Sequence, residues 1–273
     1  ITGAPKVQAM RMIRDLEPQA RGVYCGAVGV VRPGGHATFN VAIRTVTLRG
    51  TTASCGIGSG ITADAHADGE WQEWRHKRAF LERASQPFEL LETLALEDGA
   101  LRDAPAHVAR MADAAAHFGY PWDAARVADR LQQLVDAHPQ GRWRVRLRLD
   151  AGGQVLAEAH ALDITPTPVR LKLAAAALEE ADSEFVRFKT TRRAHYDAFA
   201  PTDLEVFDTI LWNANGELTE CTRGNIALQL DGQWVTPPLA CGLLAGVGRA
   251  VLLRQGALVE RVLRVDDLQR AQG

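Results

Sequence analysis

Phe188 to Tyr196 reads FKTTRRAHY, and it sets one of the chain's four lysines, Lys189, in a polar cluster directly after an apolar run. Lys6, Lys77 and Lys172 have no comparable setting. An amine so placed can add to a carbonyl and then shuttle a proton; on spacing alone it reads more readily as a solvated surface charge. Three further features lie on either side of it. Glu220 sits in NGELTE (Asn215 to Glu220), a carboxylate beside a turn. GLLAGVGR (Gly242 to Arg249) places Gly246-Val247-Gly248 before a helical pattern, where backbone N–H groups and the helix dipole favour a phosphate. Arg110, in HVARM on an expected helix, can supply a bidentate counter-charge.

Upstream of Pro87 the chemistry changes. Glu70, Glu73 and Lys77 in EWQEWRHK fall at i, i+3 and i+7, on one helix face. Two carboxylates one turn apart can share Mg²⁺ while the ion keeps waters and substrate oxygens; the same pattern also suits an ion-paired, solvated face. Arg44 closes the apolar run TFNVAIR, where burial without a carboxylate would be costly. Gly56, Gly58 and Gly60 in GIGSG let backbone N–H groups approach an anion, although bulges and turns look alike.

The expected organisation follows from periodicity. Before Pro87 we expect a helix over 7–16, ended by Glu17-Pro18, then strands over 22–31, 37–47 and 51–60 as an antiparallel meander, then a helix over 68–84. After it come a strand from Phe88 to Leu94 and helices over 106–118 and 123–137. Alternating strands over 142–150 and 169–175 follow, then helices near Arg192 and Gly248. The domains are therefore expected at 1–86 and 87–273.

Composition narrows the class. The 273 residues are 47% hydrophobic and 23% charged, with a net charge of −2, which suits a globular protein and gives no reason to expect nucleic acid or an anionic membrane as partner. No apolar run approaches membrane-spanning length. Cys25, Cys55, Cys221 and Cys241 show no zinc-like spacing, so a cytoplasmic setting is expected. The chain starts at Ile1 inside a motif and stops at Gly273 where VDDLQRAQ reads as the start of a helix, so a piece of a longer protein is expected.

In their joint order, ITGAPK, RGVYCG, AIRT, GIGSGIT and ExxExxxK over residues 1–84 resemble the C-terminal part of the chorismate-utilising enzymes, such as anthranilate synthase and aminodeoxychorismate synthase component I. The resemblance implies that Tyr24, Arg44, Gly58 and Gly60 hold substrate carboxylates, with Lys77 beside them, and that Glu70 and Glu73 serve Mg²⁺. It also implies a glutamine amidotransferase partner supplying ammonia. The family's lysine- or histidine-bearing segments and a further metal glutamate belong before Ile1, so these residues by themselves are not expected to transform chorismate.

From Phe88 onward, HxxR, FKTT, NGELTE, GN, TPP and GLLxGxxR together resemble the fold-type IV pyridoxal phosphate enzymes, which include branched-chain and D-amino acid transaminases and aminodeoxychorismate lyase. By that resemblance Lys189 is the Schiff-base lysine and Glu220 the partner of the cofactor's ring nitrogen. Arg110, Val247 and Gly248 hold the phosphate, and a homodimer is implied. Gly248 stands where a threonine is common, and Tyr196 lies further from Lys189 than the tyrosine of the transaminases. The segment completing the family's fold is expected beyond Gly273.

The expected fold class is α+β: a piece of a chorismate-binding α/β sandwich followed by a fold-type IV α/β domain. The expected function is 4-aminobenzoate formation, by amination of chorismate and then elimination of pyruvate. A fused amino acid transaminase and a catalytically inert stabilising domain are the alternatives.

Overall fold

A computed structural model describes residues 2–165 and 167–272, with residues 82 and 83 described by backbone alone. The chain divides into two compact units, Ile1–Gln86 and Pro87–Gly273.

In the first unit, α1 (Lys6–Leu16) follows Pro5 and gives way to extended backbone at Glu17, before Pro18. Strands β1 (Ala27–Val31) and β2 (Ala37–Val41) form one antiparallel hairpin, and β3 (Val46–Arg49) and β4 (Thr52–Cys55) form another. The expected meander is therefore two separate two-stranded sheets. Arg44 explains the break: its backbone is left-handed (φ 49°), and the Ile43 N–H turns back to the Val41 carbonyl, so the chain leaves one sheet before entering the next. Helix α2 (Ala67–Ser85) follows. Among the described residues of this unit only Ala42 is a buried apolar residue, whereas Val28, Val30, Phe39 and Leu48 stand exposed. Isolated hairpins have no second layer against which to bury them.

The second unit opens with β5 (Leu90–Glu97), β6 (Ala100–Leu101), α3 (Ala104–Phe118), α4 (Ala124–Ala137), β7 (Arg142–Leu149) and β8 (Val155–Ala161). The strands form an antiparallel sheet in the order β6-β5-β7-β8. Helix α3 stops at Gly119 in the left-handed region, and the Asp123 carboxylate caps α4 by accepting the Arg126 N–H. Alternation in RWRVRLRL sends Val145, Leu147 and Leu149 inward, where they meet Leu90, Leu94 and Leu96 of β5 and Met111, Ala115, Val127 and Leu131 of the helices.

Beyond this sheet lie β9 (Arg170–Leu173), α5 (Glu184–Arg187), α6 (Ala194–Asp197), β10 (Val206–Trp212) and β11 (Leu218–Cys221). They are followed by β12 (Leu228–Leu230), β13 (Gln233–Thr236), α7 (Val247–Arg254) and β14 (Val259–Glu260). Two small sheets run β11-β10-β9 and β12-β13-β14. The helix expected at the C-terminal end is a 3-10 turn, Val265–Gln269. Among the described residues no helix is long and apolar enough to cross a membrane.

One pairing outside the named strands positions the chemistry. Residues 189–191 lie antiparallel along the start of β5: the Leu91 N–H donates to the Lys189 carbonyl at 2.9 Å, and the Thr191 N–H to the Glu89 carbonyl at 2.9 Å. Thr190 is buried, so alternation sends its neighbour Lys189 to the opposite side of this short pairing.

Candidate active site

A cavity of about 250 Å³ in the second unit is lined by Lys189, Arg110, Arg193, Tyr196, Glu220, Asn225, Gly246 and Val247, among others. Burial first, and then the nearby Arg193 charge, lower the Lys189 pKa to about 8 against the opposing pull of Glu92 and Glu220. A larger share of Lys189 is thus neutral near pH 8 than of an ordinary lysine, as a nucleophilic amine requires.

Glu220 occupies β11 and is 3% exposed. Its Oε1 accepts the Tyr196 hydroxyl at 2.6 Å; its Oε2 accepts the Asn225 amide at 3.2 Å and the Leu244 N–H at 3.3 Å. Burial raises its pKa to about 7 despite those hydrogen bonds. The same burial, and the adjacent Glu220 charge, push the Tyr196 hydroxyl upward, so it remains a donor. Tyr196 reaches Glu220 because α6 is a helical turn, which carries residue 196 back toward the cavity.

Arg110 projects from α3 and is gripped by Glu92, a β5 carboxylate 1% exposed. Arg110 Nε donates to Glu92 Oε1 at 2.7 Å and Nη2 to Oε2 at 2.6 Å, while His107 Nδ1 lies 2.7 Å from Oε2. Arg110 Nη1 also donates to the Ala245 carbonyl at 2.7 Å, tying α3 to the loop that leads into α7. Gly246 precedes α7 and no side chain caps that helix, so its first N–H groups lack intrahelical acceptors.

The structure thus brings Lys189, Glu220, Arg110 and Val247 to one cavity, while Gly248, one residue into α7, is exposed and outside the lining. Sequence reading had left out Glu92, Arg193 and Asn225 and set Tyr196 aside. A glutamate inside the apolar run LLETLAL, facing a helix bearing HxxR, was a usable signal for Glu92.

In the first unit, the GIGSG segment lies along α2. Lys77 Nζ donates to the Gly58 carbonyl at 3.0 Å and pairs with Glu73 at 2.5 Å; the Ser59 hydroxyl donates to Glu70 and accepts from Trp74 Nε1 at 2.7 Å. The Tyr24 ring packs on Gly56, where a Cβ would lie 2.5 Å from the ring, and its hydroxyl points to Gly58. Burial raises the Tyr24 pKa. Arg44 and Gly60 are exposed. Among the described residues no cluster of three or more His, Cys, Asp or Glu side chains suits a metal.

Residues 89–273 match the family described as amino-transferase class IV. The chain belongs to this family. Within it, an amino-acid aminotransferase assignment from Mesorhizobium loti is 32% identical in a solved structure, with a TM-score of 0.62 over 68% of this chain and 91% of that one. The 4-amino-4-deoxychorismate lyase of Pseudomonas aeruginosa shares the fold at 22% identity and a TM-score of 0.56, over 67% of this chain and 76% of its own.

Ahead of this class IV unit, residues 1–83 match the family described as chorismate binding enzyme. There the chain is 41% identical over 86 residues to anthranilate synthase component 1 of Neisseria gonorrhoeae, covering 32% of this chain and 18% of that protein. It is 45% identical over 73 residues to aminodeoxychorismate synthase component 1 of Salmonella typhimurium, covering 27% and 16%. The chain therefore spans less than a fifth of the length of these relatives.

The class IV fold implies pyridoxal phosphate, and the cavity fits it. Glu220 is a buried carboxylate with no salt bridge among the described residues, suited to a protonated ring nitrogen. Lys189 offers a partly neutral amine, and Arg110 with the start of α7 offers an anion site. In the first unit Glu70 and Glu73 offer carboxylate oxygens, the type that magnesium prefers, with Glu73 paired to Lys77 and Glu70 accepting the Ser59 hydroxyl.

Proposed function

We propose that this chain belongs to a 4-aminobenzoate-forming enzyme. Its second unit would convert 4-amino-4-deoxychorismate to 4-aminobenzoate and pyruvate, and its first unit would contribute to a synthase that aminates chorismate. The observation that carries this reading is the joining, in one chain, of a chorismate-binding match and a class IV match whose cavity holds Lys189 and Glu220. A synthase of this kind makes the amine that the second unit would consume.

Pyridoxal phosphate, when bound, supplies an electron sink for the charge left as a carbon loses its proton. Lys189 Nζ would hold the cofactor by its aldehyde end, and its neutral amine would accept the proton from the amine-bearing ring carbon of the substrate. Glu220, kept in place by Tyr196, Asn225 and the Leu244 N–H, would hold the ring nitrogen. Arg110, with the Val247 amide, would hold the phosphate. The proton passes from Lys189 to the enolpyruvyl methylene, which departs as pyruvate, and the ring becomes aromatic. The atoms balance without water or an amino acceptor.

In the first unit, Tyr24, Arg44, Gly58, Gly60 and Lys77 would bind chorismate carboxylates, and Glu70 and Glu73 would hold Mg²⁺, with a glutamine amidotransferase supplying ammonia. A cytoplasmic homodimer belongs to the same proposal.

The test is pyruvate release from 4-amino-4-deoxychorismate by the cofactor-loaded chain with no keto acid present. Release without an acceptor supports the lyase; turnover only when a keto acid is added favours a transaminase. That second reading rests on the Mesorhizobium loti relative, described as an amino-acid aminotransferase.

Two predictions arise from the geometry. The rate of cofactor uptake should rise with pH through about 8, because the neutral amine of Lys189 is the reacting form. A stopped-flow profile flat to pH 10 would contradict that assignment. Gly246→Ala should weaken cofactor affinity roughly tenfold, since its methyl would run into the Asn225 side-chain oxygen and displace a residue that holds Glu220. Absorbance titration measures this, and unchanged affinity would exclude the coupling.

A further inference from the structure

The charges lining the cavity do not balance. Arg110 is neutralised by Glu92, and Arg223 lies exposed over the Phe207 ring, 5.3 Å from its centroid. Arg193 is different. Its guanidinium sits 4.6 Å from the centroid of the Tyr196 ring, Nη2 donates to the Thr222 carbonyl, and it forms no salt bridge among the described residues. Ring contact and carbonyl together fix the plane of the group while using one of its five N–H donors. None of its nitrogens is among the buried atoms without a partner, so the remaining donors stay accessible. A planar cation held this way, partly buried beside Lys189, matches a carboxylate by paired hydrogen bonds. The phosphate already has Arg110 and the start of α7 at its disposal. An anion within salt-bridge distance is what Arg193 lacks among the described residues, although its charge reaches the Glu220 carboxyl.

We propose that Arg193 is a substrate-binding and specificity-determining residue that pairs with a carboxylate of the substrate, and so selects carboxylated ring amines. The proposal rests on the lyase reading for the identity of that ring.

The test compares 4-aminobenzoate with its neutral isostere 4-aminobenzamide, by calorimetry on the cofactor-loaded full chain. Wild type should bind the carboxylate at least tenfold more tightly than the amide. Arg193→Gln should erase that preference by weakening 4-aminobenzoate alone, roughly tenfold to a hundredfold, while Arg193→Lys recovers part of it. Cofactor affinity, read by visible absorbance, should change less than threefold in both variants, and the thermal midpoint of Arg193→Lys should stay near wild type.

Three results would overturn the assignment. One is a wild type that does not prefer the carboxylate. Another is Arg193→Gln keeping the preference. The third is loss of cofactor affinity matching that of Arg110→Gln, which would place Arg193 on the cofactor. Because binding is read without turnover, failure here is distinct from failure of the lyase reading, which pyruvate release decides.

Discussion

Lys189→Ala is expected to abolish the visible band of the lysine-linked cofactor and to lower pyruvate release by at least about 10³-fold, since one residue both anchors the cofactor and carries the proton. The fold should survive. In the folded chain the Lys189 pKa falls from 10.5 to about 8, so burial penalises its charged form. That penalty is fully present below about pH 8 and fades as pH rises toward the unfolded value near 10.5. Removing the amine at neutral pH should leave the thermal midpoint unchanged or raise it. A variant that retains pyruvate release within tenfold of wild type would remove Lys189 from the mechanism.

The second large effect is expected at Glu92, which binds no substrate in this scheme. Glu92→Ala would leave Arg110 without its carboxylate and His107 without its partner inside the second unit, costing about 3–5 kcal/mol, as loss of one member of a buried pair does. Denaturant unfolding followed at Trp143 measures this, and cofactor affinity should fall with it because Arg110 loses its anchor. Burial pulls the Glu92 pKa upward, but hydrogen bonds from His107 and Arg110, and their charges, outweigh it and the net shift is downward. The pair's stabilisation is therefore present above the unfolded value near 4.5 and is lost as pH falls below it through the folded value. In Glu92→Ala that acid-dependent step should be missing. A cost below about 1 kcal/mol would show the pair to be screened like a surface salt bridge.

Both predictions depend on features of unequal visibility in the sequence. Lys189 stood out because it follows an apolar run into a polar cluster, and Glu220 because NGELTE has a place in the order of the class IV motifs. Glu92 was harder to see: its place inside the apolar run LLETLAL was a usable signal, but nothing local names the arginine eighteen residues on. Tyr196 was set aside because it lies further from Lys189 than the tyrosine of the transaminases, and the helical turn at Ala194–Asp197 gives it a different contact, with Glu220. The meander expected over 22–60 failed at Arg44, whose left-handed backbone no propensity rule announces for arginine. The alternation of RWRVRLRL was legible throughout, because a strand with one buried face writes its burial into every second residue.

By itself the sequence determined the long helices and the alternating strand RWRVRLRL, since periodicity, caps and turn residues are local properties. It also determined the pairing of two chemistries in one chain, since that is a matter of motif order. Only the tertiary structure decided which charges are satisfied. Arg110 is neutralised by a glutamate from a neighbouring strand, Glu220 is held by three donors from separate segments, and Arg193 forms no salt bridge among the described residues. The reason is physical: pairing and desolvation depend on distances of a few ångströms between residues far apart along the chain, and those distances exist only once the sheets and helices have packed.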